Sequence, residues 1–415
     1  MGNFISFFFL LLLLSRYFGA ADSGWFNYFI SMAALLVLLC GFGMDSALTY
    51  FISRQECSGR AAGWLGIGWS LMAAIVASFF LLLLLLFNFI QAPMGITLVA
   101  GGVYIFAATL QGMMQAAFYG KADYRFPGLL GLITNLVLIA ILAVNFSTRL
   151  LTITEFLQWY AFINLGQALV LWLSWLVQYG AADEGASQGI AITEFFRYAV
   201  IVLMSNLIFF LVYRVDYWFV KHYCSAAYLG NYIQVSKLVQ VFLLLPASMA
   251  SVIFPTVASG QPAITDHLKR ASRWFITLFF LVSLFIAATG QWLFVWLFGP
   301  SFGDMYLPFL LLIPGILSLA LIALLGAYFS GRGLAHINLR GGILALLVML
   351  AGDSLLVPLW QINGAALVCS VSYLVFLAYL LYCYYRSEKE TDGGGFFIIT
   401  KQDIRSIPFL SRLDK

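Results

Sequence analysis

The chain has 415 residues, 63% of them hydrophobic and 9% charged, with a formal net charge of +4. A soluble domain carries about a quarter charged residues, so this composition excludes one: most side chains must face lipid or other membrane helices. The small, dispersed positive charge builds no basic patch, and no nucleic-acid partner is expected.

A bilayer core about 30 Å thick needs roughly 20 helical residues, and the apolar runs predict twelve spans. The first six cover 4–15, 25–52, 64–89, 96–119, 127–145 and 156–178. The second six cover 192–220, 229–258, 274–298, 306–330, 341–358 and 364–384. The opening run has the length of a signal-peptide core, and Gly19-Ala20-Ala21 resembles a cleavage site. No Lys or Arg precedes that run, so it reads as a short or N-terminally truncated first helix. Pro127 suits a first helical turn. Pro246 and Pro255 fall inside the eighth run and predict a kink there.

With the N terminus cytoplasmic, inner loops and the tail hold fifteen Lys and Arg residues against four in outer loops. The positive-inside rule therefore places both termini in the cytoplasm of a multi-pass inner-membrane protein. The stretch Gly180–Gly189 is small and polar and reads as a linker. The predicted organisation is a six-helix bundle over 1–178, a cytoplasmic linker over 179–191, a second bundle over 192–384 and a cytoplasmic tail over 385–415. Gly393-Gly394-Gly395 breaks any helix in that tail, and Phe396–Ile399 is too short to span.

The halves carry a faint repeat. Tyr17, Ala20, Ala21 and Gly24, with Phe26 two places on, match Tyr223, Ala226, Ala227 and Gly230, with Tyr232 two places on. The offset is a constant 206 positions, close to half the chain. The predicted fold class is all-α transmembrane: about twelve helices in two six-helix bundles, related as parallel pseudo-repeats around a central cavity.

These segments also carry a family resemblance. The hairpin Arg16–Phe26, the helix end Gly43–Arg54 and the run Arg214-Val215-Asp216 resemble Wzx-type polysaccharide flippases. Gly230-Asn231-Tyr232, Lys237, Leu244–Pro246 and Phe254-Pro255 extend the likeness in order and spacing. The resemblance implies the multidrug/oligosaccharidyl-lipid/polysaccharide exporter superfamily and alternating access between two bundles. It implies an undecaprenyl-pyrophosphate-linked oligosaccharide as cargo, of the O-antigen or exopolysaccharide kind. Glycosyltransferases and a polysaccharide polymerase would act beside such a protein, and membrane lipids would surround it.

Ionisable groups at membrane depth are costly and usually face a cavity or a partner. Lys237 lies well inside its helix, where an ammonium suits a pyrophosphate or acidic sugar. Arg214, Arg197 and Arg16 are the further candidates for substrate contact. For each a structural reading stands beside it: Arg214 pairing with Asp216, Arg197 with Glu194 three residues earlier, and Arg16 with lipid head groups. Asp45, Asp216 and Asp353 are candidates for binding a coupling proton or sodium ion, or for helix-to-helix hydrogen bonds. The five cysteines form no CxxC motif and read as small apolar filler, and no metal site is expected.

No G-x-S-x-G, phosphate-binding G-x-x-x-x-G-K-S/T or H-E-x-x-H motif occurs, so no enzyme and no cofactor is expected. Energy would then come from a proton or sodium gradient or the membrane potential. A drug or cation exporter of the same superfamily is the rival reading, one that acidic cavity residues would favour. A membrane polymerase or ligase on lipid-linked sugars ranks below both, because the outer connections are short.

Overall fold

The structure, a computed structural model, describes residues 2–54, 56–87, 94–146, 148, 150–180, 192–258, 264–388 and 393–398. All of the predicted linker but Tyr179 and Gly180, and residues 389–392 and 399–415 of the tail, lie outside these residues. Among the described residues there are eleven α-helices and no strand. They are α1 (Gly2–Gly41), α2 (Met44–Ser53), α3 (Gly59–Leu86), α4 (Met94–Gly120), α5 (Arg125–Asn145), α6 (Ile153–Tyr179) and α7 (Ile192–Tyr223). The rest are α8 (Ala226–Ala258), α9 (Ile264–Phe298), α10 (Tyr306–Gly331) and α11 (Ala335–Glu388), with short 3-10 turns at Pro300–Met305 and Gly393–Phe396.

Ten of these helices are long and apolar enough to cross a membrane. Two of the ten are double. At about 1.5 Å per residue, the 40 residues of α1 and the 54 of α11 would measure about 60 and 80 Å, twice a bilayer core or more. Each folds back at one non-helical residue: Gly19, with φ 76°, in α1 and Gln361, with φ 53°, in α11. In α11 the limbs lie antiparallel. A Cβ placed on Gly341 would come within 2.3 Å of the Phe376 ring, and one on Gly352 within 2.7 Å of Val368. In α1 the Ser6 hydroxyl accepts from Asn135 midway along α5. The Tyr17 hydroxyl accepts from the Leu151 N–H at the α5–α6 turn. Past Gly19 the chain returns, and the Cys40 carbonyl accepts from the Trp69 indole, ten residues into α3. Ten apolar helices thus make twelve passes; most follow the predicted runs, but the run 25–52 is broken at Phe42-Gly43, both of positive φ, and the run 274–298 begins at Ile264. Helix α8 runs as one helix through Pro246 and Pro255.

The chain forms two compact units, Met1–Phe210 and Leu211–Lys415. The first half of α7 therefore packs in the N-terminal unit, where Phe195 stacks on Phe51 of α2 at 5.2 Å. Two tryptophans of α6 tie that helix to the backbone of α3: Trp175 donates to the Gly59 carbonyl at 2.7 Å and Trp172 to the Gly63 carbonyl at 3.0 Å. Thr152 and Glu155 form a reciprocal capping box at the start of α6. In the C-terminal unit α10 is the most buried helix, packed against α8, α9 and α11.

Large apolar side chains also cover the outside, and Val177 is 82% exposed. Leaving such groups outside costs nothing in lipid, so helix association rests on packing and hydrogen bonds. One such bond repairs α10. Pro314 disturbs its ladder, and the Ser370 hydroxyl of α11 steps in beside it. Ser370 accepts from the Gly315 N–H at 3.2 Å and donates to the Leu311 carbonyl, two groups that would ordinarily bond each other.

Candidate functional site

A buried polar cluster with charge lies in the C-terminal unit, near the end that carries the α7–α8 turn and the Gln361 turn. Asp216 lies seven residues before the end of α7, Tyr232 six after the start of α8, and Asp353 and Cys369 eight on either side of Gln361. At about 1.5 Å per residue all four lie about 9–12 Å from their turns, in one layer. Spacing explains the convergence. Tyr232, Ser236 and Gln240 recur every four residues and form one stripe on α8, as Cys369 and Tyr373 do on α11.

Asp216 is buried and well satisfied. One carboxylate oxygen accepts from the Tyr232 hydroxyl at 2.6 Å and from the Cys369 thiol at 3.4 Å, and the other from the Tyr217 N–H at 3.0 Å. Tyr232 and Cys369 are themselves 3.2 Å apart. Asp353 differs: it is fully buried, and neither carboxylate oxygen has a hydrogen-bond partner. It lies within electrostatic reach of Asp216. Two carboxylates so placed repel, and a proton or a small cation between them relieves both the repulsion and the unmet oxygens.

The cations form the adjoining layer. The Arg214 guanidinium donates to the Tyr217 hydroxyl and, at 3.2 Å, to Gln240 Oε1, with its carbon 5.0 Å from the centre of the Tyr217 ring. Lys237, half-buried on α8, lies within electrostatic reach of Arg214. A cavity of about 20 Å³, room for one water, is bounded by Tyr213, Ser236, Gln240, Cys369 and Tyr373. Two like charges near one another at this depth form a place where an anion would be stabilised.

The structure brings Arg214, Asp216, Lys237 and Asp353 into one unit and one neighbourhood. The alternative structural pairings do not form. No ion pair joins Arg214 to Asp216, because each side chain turns to a different neighbour, and none joins Glu194 to Arg197, both of which are exposed. Arg16 is exposed beside the Gly19 turn, whereas Arg197 lies near the other end of the N-terminal unit, so they belong to no common site there. Asp45 is exposed in the first turn of α2. It accepts from the Ser46 N–H at 2.7 Å and borders a cavity of about 190 Å³ with Thr109 and Asn206. A carboxylate there complements the helix N-terminus.

Cys369 is the residue that sequence reasoning passed over. It reads as apolar filler within an apolar run, yet its thiol is part of the Asp216 cluster. Its spacing of four from Tyr373, which puts the two on one helix face, was the available signal.

No known family profile matches the sequence, and no curated protein matches it. Solved structures do match the fold. The lipid II flippase MurJ in an inward closed conformation is similar with a TM-score of 0.72 and 15% identity, over 95% of this chain and 88% of that one. An inward-facing multidrug resistance MATE family transporter of the MOP superfamily gives 0.70 and 14%, over 92% and 95%. A Vibrio cholerae MATE transporter, VcmN, gives 0.64 and 14%, over 94% and 95%. The chain therefore has the fold of MOP-superfamily transporters.

Proposed function

We propose that this protein is a MOP-superfamily flippase that moves a lipid-linked oligosaccharide from the cytoplasmic to the outer leaflet by alternating access. Both termini lie in the cytoplasm, and the tail follows the inner surface. The observation that carries the reading is the pair of cations, Arg214 and Lys237, on neighbouring helices at membrane depth. A pyrophosphate offers several oxygens to such a pair, and fold likeness to a lipid II flippase supports the same class of cargo. Asp216 and Asp353 serve as the coupling site for a proton or sodium ion. The chain uses no cofactor and performs no covalent chemistry; polymerase and glycosyltransferases act on the cargo before or after it.

A second reading has its own observation. Asp353 is a buried carboxylate without a hydrogen-bond partner, which suits a cationic drug, and MATE transporters share the fold. One experiment separates the two. Purified protein in vesicles is assayed for translocation of a lipid-linked oligosaccharide and for efflux of a cationic dye, with insertion measured in parallel. Lys237→Ala is expected to abolish oligosaccharide translocation at unchanged insertion, and Lys237→Arg to retain part of it. Wild-type dye efflux with no oligosaccharide movement would replace the flippase by the exporter.

A further inference from the structure

The N-terminal unit holds a second polar cleft, of about 210 Å³, in which no charged side chain takes part. Tyr160, Asn164 and Gln167 stand at i, i+4 and i+7 on one face of α6. Thr134 and Asn135 of α5 and Gln111 of α4 complete its polar lining, and Phe7 of α1 adds an aromatic wall. Several of these groups are already committed. The Asn164 amide donates to the Tyr160 carbonyl at 2.7 Å, Asn135 to the Ser6 hydroxyl at 3.0 Å and Thr134 to the Leu130 carbonyl at 3.0 Å. The Gln167 Nε2 is not: the residue is 5% exposed, and this nitrogen has no hydrogen-bond partner. The Tyr160 ring is held edge-on by Phe26 at 5.3 Å and leans on Tyr104 at 5.4 Å, so one side of the cleft is rigid.

Amides at this depth in a membrane helix are expensive unless something bonds them. Lipid tails cannot do so. A cation would find no carboxylate in the lining and a phosphate no cation. A ligand whose groups both donate and accept would satisfy amides, which present the same two functions, and its C–H faces would lie against Phe7 and Tyr160. Hydroxyls on a saturated ring meet that description. The volume is about that of seven waters at roughly 30 Å³ each, enough for one sugar ring.

We propose that this cleft binds a single neutral sugar ring of the cargo, through Gln167, Asn164 and Gln111. The inference rests on the reading of the cargo as a lipid-linked saccharide and assigns its neutral part to the N-terminal unit. The full chain in nanodiscs is probed by saturation-transfer NMR with free glucose, galactose and N-acetylglucosamine, and with tetraphenylphosphonium as an apolar cation. Transfer to the ring protons of at least one sugar is expected. In Gln167→Leu that transfer should fall about tenfold, the scale of one lost contact in a desolvated site, with the cation signal unchanged. Where Gln167→Leu fails to fold, Gln111→Leu asks the same question from the opposite wall. Equal sugar signals in a folded variant and wild type, or none for any of the three sugars, would overturn the site. Wild-type translocation of lipid-linked oligosaccharide alongside either result leaves the function standing and removes only this cleft. Sugar transfer lost in Gln167→Leu supports the cleft even if translocation fails and the function falls.

Discussion

The two compact units are built on one plan and filled with different chemistry. The repeat offset of 206 positions places Gly19, where α1 turns, against Ser225, where α7 gives way to α8. It also places Leu10 against Asp216, Phe26 against Tyr232 and Phe8 against Arg214. The C-terminal unit is charged where the N-terminal unit is apolar, and the N-terminal unit keeps its polarity in uncharged amides elsewhere. Helix geometry repeats because packing needs only small and apolar residues in register. The interior chemistry is free to diverge, since each polar group needs only a local partner. A cargo with an anionic part and a neutral part would meet two surfaces of matching kind.

The largest test of this contrast is to put charge where there is none. Gln167→Glu would bury a carboxylate among amides with no cation in the lining. It should cost several kcal/mol, read as a fall in Tm of the protein in nanodiscs. An unchanged Tm would show that the cleft tolerates charge, and the contrast between the units would lapse.

The converse change removes charge from the C-terminal unit. Asp353→Asn replaces a buried carboxylate that has no hydrogen-bond partner with a neutral amide of the same shape. The folded state should gain about 2–3 kcal/mol while ion-driven translocation falls at least about tenfold. A lower Tm would mean that Asp353 is satisfied by a bound ion and would sharpen its role as the coupling group.

Much of this arrangement was legible in the sequence. Length and apolarity suffice for twelve passes, because the bilayer fixes how many residues a span needs. The Gly19 turn is visible through the repeated hairpin. The Gln361 turn is visible as the gap between the predicted spans 341–358 and 364–384, bounded by Pro358 and Asn363-Gly364, although the residue of positive φ itself is a glutamine. Charged residues at depth announce themselves by cost, which is why Arg214, Asp216, Lys237 and Asp353 stand out. Cys369, Asn164 and Gln167 do not, because a thiol or amide in an apolar run has a harmless reading until its neighbours are known. The separation of Arg214 from Asp216 was also hidden: a spacing of two puts them on different helix faces, but only the packing of α8 and α11 shows where each turns.

The smallest effect concerns the tail. Its 3-10 turn docks on the C-terminal unit, with Phe396 buried 4.9 Å from the Tyr384 ring and the Gly395 carbonyl accepting from Arg273 at 2.6 Å. Deleting residues 391–415 should lower stability by about 1–2 kcal/mol and leave translocation within about twofold of wild type. Complete loss of transport in a correctly inserted deletion would make the tail a working part rather than a brace.

The Ser370 hydroxyl has a mechanical meaning. It is stitched into the backbone of α10 beside Pro314, accepting from one peptide and donating to another. Pulling α11 away from α10 would break both bonds of the Ser370 hydroxyl in a medium without water to replace them. The two helices are thereby riveted into a single strut. A conformational cycle can tilt or carry that strut whole, whereas sliding one helix along the other would break both bonds.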